Sequence, residues 1–384
     1  MRFITLFRDE LRYIFTSPKT ALILFGLPLC YSLLFGAVYG ADVIKNIPTV
    51  ILDQDQTTAS RTLVQAFADS ERYNIVTQAS SQEVMEEALH DNRALAAIVI
   101  PPDFSRDIKL GKGTEVIVVA SATNVMFANS VLGTCQEIVQ SFSAGSGQKL
   151  IESLNQMPSE ALKTAVPVRL SLRITNNPTL SYSNFIMAGI SANGLQLAII
   201  MAVCTVLSAE KLSQSQLSTS PAVLLAGKLL PYWLCSILSF LLYTSITVPL
   251  FSLAFKGSML ELLLMISAFT FVVVSIGGLF SAVTKNSIDA IQTPMLYIMP
   301  AFLFSGYSWP HLAMDGFSRA FSAILPITYA ADTMRDIMLA GSSPVLARNV
   351  LILFTAGLAV NLVSALALVR RNQRSHRSDK GVCA

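Results

Sequence analysis

Charge is scarce in this 384-residue chain: 13% of it is Asp, Glu, Lys or Arg and 53% is hydrophobic, where a soluble domain carries about 25% charged residues. With a mean hydropathy of +0.56, the composition excludes both a soluble globular protein and a disordered one. The net charge of +3 is too small for a nucleic-acid face, which needs dense Lys and Arg. Histidine is rarer still. His90, His311 and His376 fall in three different regions with no ligand-spaced Asp or Glu, which argues against a metal site. The five cysteines, Cys30, Cys135, Cys204, Cys235 and Cys383, contain no C-x-x-C pair, so neither a disulfide framework nor a zinc knuckle is expected. No G-x-S-x-G elbow and no G-x-x-x-x-G-K-S/T phosphate loop occurs. Gly145-Ser146-Gly147-Gln148-Lys149 resembles a phosphate loop only superficially, and its spacing reads as a flexible break between helices. The chain is not expected to hydrolyse nucleotide by itself, to bind a metal or to carry a cofactor.

Long apolar runs are abundant. A helix needs about 20 apolar residues to cross roughly 30 Å of hydrocarbon, and six stretches qualify: residues 20–39, 185–207, 229–255, 259–283, 290–304 and 350–369. The fifth is short and interrupted by Pro294 and Pro300, which predicts a helix buried in the bundle, where protein or water satisfies the freed carbonyls. Residues 1–19 precede the first span. There Phe3, Phe7, Leu11 and Ile14 recur at helical spacing with Arg8, Asp9 and Arg12 on another face, the pattern of an amphipathic helix in a membrane surface. With Asp9 and Glu10 ahead of it, the first run reads as an uncleaved anchor rather than a signal peptide.

Orientation follows from Lys and Arg in short loops. An N-terminus inside places Arg2, Arg8, Arg12, Lys19, Lys211, Lys228, Lys285, Arg370, Arg371, Arg374, Arg377 and Lys380 in the cytoplasm. The opposite choice leaves only Lys256, Arg319, Arg335 and Arg348 there. Both termini are therefore expected in the cytoplasm, with residues 370–384 as a basic tail and residues 40–184 on the far side. That long segment holds 15 acidic and 11 basic residues. Residues 48–53, 74–77, 94–100 and 115–120 read as strands, and 60–70 and 81–90 as helices, which together predict an α/β layer. Residues 124–154 read as a long helical region broken at 143–147, and 168–174 as a returning strand. The expected fold is an α-helical bundle of six transmembrane helices with an extracytoplasmic α/β domain inserted between helices 1 and 2.

Polar residues inside spans mark either a pathway or an interhelical hydrogen bond. Asn193 and Gln196, one turn apart on the second span, are the candidate translocation path; Glu261 and Asp289 sit at span ends. No intramembrane charge ladder drives a pump, so energy must come from elsewhere. Residues 307–347 carry Pro310, Gly316 and Pro326 yet keep apolar faces, which predicts two short re-entrant helices on the outer side. Trp309, Phe317, Phe321 and Tyr329 are the candidate outer gate.

The loop at 208–228 contains Glu210, Lys211, Leu217, Ser220-Pro221 and Gly227-Lys228. This pattern resembles the signature of ABC-2-type transporter permeases, close to Glu-Arg-Glu-Lys-Gly-Thr followed by Glu, Leu, Ser/Thr-Pro and Gly-Lys. The chain departs from it at Ser208, Leu212 and Ser215. Further likeness lies in Val50-Ile51-Leu52-Asp53-Gln54-Asp55 with Ser60-Arg61, in Ile100-Pro101-Pro102-Asp103-Phe104, in Asn177-Pro178, and in Gly306, Pro310, Pro326-Ile327-Thr328-Tyr329, Arg335 and Gly341. The resemblance implies a multi-pass permease subunit of the bacterial inner membrane, exporting drug or lipid-like cargo. It implies a separate ABC ATPase subunit that binds the ATP, a second permease subunit as homo- or heterodimer, contact with membrane lipid, and a periplasmic adaptor as a further candidate partner. Glu210, Lys211, Leu217, Pro221 and Lys228 are the implied ATPase-coupling residues. A membrane-anchored receptor or assembly factor is the alternative, set aside because it needs fewer spans and a larger output domain. A secondary transporter is disfavoured by the missing inverted repeat.

Overall fold

A computed structural model of the chain describes residues 2–40, 44–122, 125–152, 175–179, 181–208, 219–284 and 287–382, with side chains to 371 in the last helix. Two units divide it, one of Met1–Asp42 with Ile174–Ala384 and one of Val43–Arg173. The candidate coupling residues Glu210, Lys211 and Leu217 and the expected strand at 168–174 lie outside the described residues.

The first unit begins with α1 (Arg2–Thr16) and α2 (Pro18–Tyr39). Within α2 the turn Leu22–Gly26 is π-helical. Pro28 explains it: proline has no N–H to give the carbonyl four residues back, and its ring crowds that carbonyl. The carbonyl in question is that of Leu24, and the Ser239 hydroxyl donates to it at 2.7 Å.

The inserted unit runs β1 (Ile47–Asp53), α3 (Thr58–Ala68), β2 (Tyr73–Gln78), α4 (Gln82–His90), β3 (Ala96–Ile100), α5 (Phe104–Lys109), β4 (Ile117–Ala120) and α6 (Val125–Glu152). Its sheet has the order β2-β1-β3-β4, with β1 parallel to β2 and β3 and β4 antiparallel to β3. Alternation along β1 sends Ile47 and Ile51 to a core shared with Leu63, Phe67 and Val131. Val50 and Leu52 go to the opposite core with Met85 and Ala88. Two motifs noted in the sequence have local reasons. Asp53 closes the turn after β1, its Oδ1 accepting from the Asp55 and Gln56 amides and its Oδ2 from the Ser60 hydroxyl at 2.7 Å. After Pro101-Pro102, Asp103 is left-handed (φ 66°), and Phe104 drops into the core against Phe142, ring centroids 5.8 Å apart. The expected break at 143–147 does not occur. α6 is continuous from Val125 to Glu152, because Val131, Cys135, Ile138, Val139 and Phe142 keep one stripe packed on the unit's core and offset a glycine cost of about 1 kcal/mol per residue.

The first unit resumes with α7 (Tyr182–Val203), α8 (Pro221–Leu250), α9 (Met259–Val283), α10 (Ser287–Phe304), α11 (Gly316–Ile324), α12 (Pro326–Ala340) and α13 (Leu346–Val382). Five helices are long and apolar enough to cross a membrane: α2, α7, α8, α9 and residues Leu346–Arg371 of α13; Ile288–Phe304 is shorter. Enclosed by α2, α8, α9, α10 and α12, α7 forms the middle of this unit. Two expectations change. α8 starts at Pro221, eight residues before the expected span, because Ser220 is non-helical (ψ 132°) and Pro221 takes the first helical position its fixed φ suits; Gly227 and Lys228 are thus helical, not loop. α10 passes both prolines without stopping and is not buried: Ala290, Ile298 and Ala301 pack inward, while Leu296 (81% exposed), Met299 and Leu303 face outward. Its outward apolar side is exposed rather than core.

Candidate functional site

Of the expected Phe3, Phe7, Leu11 and Ile14 face of α1, Ile14 is fully buried and Leu11 packs on the same core. Leu6, Glu10 and Ile14 point at α8, with Glu10 only 6% exposed, and Phe3 is open. Gly227 makes the approach possible, since a Cβ there would lie 2.8 Å from the Leu6 Cβ. One turn along, the Lys228 ammonium donates to Glu10 Oε2 at 2.5 Å, and the Tyr232 hydroxyl donates to Glu10 Oε1 at 3.2 Å. Both carboxylate oxygens are therefore engaged, as a desolvated charge requires. Gly227 and Lys228 thus act as a pair, one admitting α1 and the other binding it. Lys228 is spent inside the chain, and Pro221 is the first residue of the same helix. Glu10 escaped sequence reasoning because an acidic residue on an amphipathic helix reads as its wet face. Its signal was the spacing from Leu6 and Ile14.

In the interior, Asn193 donates through Nδ2 to the Tyr31 hydroxyl at 3.3 Å, bridging α7 and α2. Two residues nearer the start of α7, the Ser32 hydroxyl donates to Ser191 Oγ at 3.2 Å. Gln196 is 1% exposed, and neither its amide oxygen nor its nitrogen has a hydrogen-bond partner among the described residues. An unpaired buried amide costs roughly 1–3 kcal/mol, so Gln196 is the strained polar point of α7. Asn193 and Gln196 are not bonded to one shared partner; one links helices and the other stands alone.

At the opposite end of α7 from Leu207, the four aromatic candidates do not form one cluster. Trp309 and Phe317 (75% exposed) face outward, Phe321 lies edge-on to Phe304 at 5.2 Å, and the Tyr329 hydroxyl donates to the Ala323 carbonyl at 2.9 Å. Different residues close this end. The Arg335 guanidinium of α12 lies 5.0 Å from the Phe185 ring centroid and 4.6 Å from that of Tyr307, and donates to Asp332 at 2.8 Å. The buried Tyr307 hydroxyl donates to the Phe185 carbonyl, and the Tyr307 ring occupies the space a Cβ on Gly189 would need. One cation and two rings thus join α7, the turn after α10 and α12. α11 and α12 do form a helix pair over the segment expected to re-enter, with Ile327, Ala330, Met334 and Ile337 of α12 buried.

Residues 19–366 match the family described as ABC-2 family transporter protein. The chain is 26% identical over 357 residues to the probable multidrug ABC transporter permease YbhS of Escherichia coli K12, covering 90% of this chain and 91% of that protein. Over 344 residues it is 24% identical to the probable multidrug ABC transporter permease YbhR of the same organism, covering 88% and 90%. It is 25% identical over 350 residues to the linearmycin resistance permease protein LnrN of Bacillus subtilis 168, covering 87% and 90%.

Proposed function

This chain belongs to the ABC-2 family of transporter proteins, and we propose that it is the membrane-spanning permease subunit of an ATP-driven exporter. In this reading α2, α7, α8, α9, α10 and α13 are six spans, both termini are cytoplasmic, and the inserted α/β unit stands outside the inner membrane. ATP is bound and hydrolysed by a separate ATPase subunit, and a second permease, identical or related, completes the pathway. The cargo is amphiphilic, drug or lipid-like, as the names of the multidrug and linearmycin-resistance relatives suggest. An adaptor protein on the far side is a further partner.

The observation that carries the reading is the buried Glu10–Lys228–Tyr232 contact. An export subunit without its own nucleotide site has to receive work at its cytoplasmic surface. A surface helix anchored by charge to the first turns of α8, the span that follows residues 209–218 in the sequence, is a device for passing that work inward. Glu210, Lys211, Leu217 and Pro221 are the proposed contacts with the ATPase, Lys228 the link to α1, and Asn193 and Gln196 the lining of the path. Trp309, Phe317, Phe321 and Tyr329 flank the outer closure. Cells expressing the chain with its ATPase should retain less of an amphiphilic dye such as ethidium than cells carrying a Glu210→Lys variant. Equal retention of every such compound removes amphiphilic cargo from the account.

A further inference from the structure

Arg370 and Arg371 are adjacent and equally charged, yet they are placed differently: Arg370 is exposed, while Arg371 is half-buried. The Arg371 Nη1 donates to the Leu207 carbonyl at 2.9 Å and to the Ala282 carbonyl at 3.4 Å. Among the described residues its buried Nη2 has no partner, and no carboxylate lies within ion-pair distance of it. Leu207 follows the end of α7, so its backbone groups have no helical partner, and they are wholly buried. Its N–H is taken by the Ser281 hydroxyl at 2.7 Å and its C=O by Arg371. Three spans, α7, α9 and α13, are thereby joined at one end through a single guanidinium and a single hydroxyl.

A residue that only fixed topology would extend its charge into water, as arginines at span ends do, and Arg370 already meets that need. Arg371 instead holds a desolvated charge on two backbone carbonyls, both reached through Nη1. We infer that Arg371 is a positioning residue that makes the ends of α7, α9 and α13 move as one body during the transport cycle. The inference rests on the proposal that an ATPase drives this chain. It also divides that end of the molecule into two moving parts, the α1–α8 part held by Glu10 and Lys228 and the α7–α9–α13 part held by Arg371.

The test is a distance measurement on the full chain in complex with its ATPase, with spin labels at Val283 and Arg370, both exposed, before and after trapping with ADP and vanadate. In the wild-type background this distance should be the same in both states. In Arg371→Met it should match wild type without nucleotide and spread by about 2 Å or more on trapping. Arg371→Lys, whose ammonium ends one bond short of the position of Nη1, should fall between, and Ser281→Ala should act in the same direction if Arg371→Met does not assemble. Spreading already present without nucleotide would mark a packing role only, and an unchanged distance in Arg371→Met after trapping would show that the ends are held by other contacts; either overturns the inference. A second label pair, at Arg8 and Arg370, separates this from the reading beneath it. If trapping leaves that wild-type distance unchanged, the chain is not driven by the ATPase and the proposed function itself fails.

Discussion

Glu10 and Lys228, 218 residues apart in the sequence, meet at 2.5 Å in a site from which water is nearly excluded. Breaking a buried pair from one side leaves a bare charge, at about 3–5 kcal/mol. Glu10→Leu or Lys228→Met alone should therefore lower the thermal midpoint of the detergent-solubilised protein sharply. The double variant Glu10→Leu/Lys228→Met, with neither charge, should recover most of the stability. If the pair also transmits motion, export should remain impaired in the stable double variant. Melting curves and dye export on the same preparations separate the two effects, and full export by the double variant would reduce the pair to architecture.

Ser239 and Pro28 should be energetically coupled. Ser239→Ala strands the Leu24 carbonyl that Pro28 leaves without an N–H donor, at about 1 kcal/mol for a hydrogen bond in a membrane bundle. In a Pro28→Ala background the new N–H can serve that carbonyl, so the same Ser239→Ala change should cost close to nothing. Equal costs in both backgrounds, read from denaturation in mixed micelles, would detach the π-helical turn from this explanation.

Gly189 and Arg335 are predicted to fail together. A Cβ at Gly189 would meet Tyr307 Cε1 at 2.5 Å, so Gly189→Val must push the ring off Phe185 and release Arg335 from one of its two faces. Each cation–π face is worth about 0.5–2 kcal/mol. Gly189→Val and Arg335→Met should each loosen the α7–α12 contact, with the double variant little worse than either. Hydrogen exchange at residues 326–340 is the readout, and additive effects would mean the two residues act separately.

Cys135 tests the inserted unit. Its thiol is buried in the core beside Val131, and burial pushes its pKa up to about 11. A maleimide reagent needs the thiolate, so at neutral pH Cys135 should stay unmodified in native membranes and react only after denaturation. Rapid labelling of the native protein would mean that α6 does not pack on the sheet as described.

Much of this fold was legible because apolar periodicity is local. The four strands of the inserted unit fall within about two residues of expectation, as pattern reading allows. Four of the long helices are plain apolar runs. What the sequence hid depends on what each residue meets. Glu10 looks like a wet-face carboxylate until Lys228 and Tyr232 arrive from α8. Gly227 looks like a loop residue until Leu6 needs its space. The glycines of α6 look like a break until the packed stripe from Val131 to Phe142 is counted. Pro294 and Pro300 suggested a buried helix, yet the outward Leu296 and Met299 are tolerated wherever the medium is itself apolar. Among the site residues, Asn193 and Gln196 could be named as polar groups inside a span, but not that one would be bonded and the other left alone. Arg335 was visible as a residue of the family pattern, and its two aromatic faces were not.

The central claim is that this chain receives its energy from another protein, and purification of the tagged full chain from membranes in a mild detergent measures that directly. The account predicts that an ABC ATPase co-elutes in fixed ratio, that the complex hydrolyses ATP, and that Glu210→Lys weakens this association while Arg348→Met, at the other end of the bundle, does not. Recovery of the wild-type chain in folded form with no ATPase bound and no hydrolysis, under conditions in which a related permease retains its own, would contradict it.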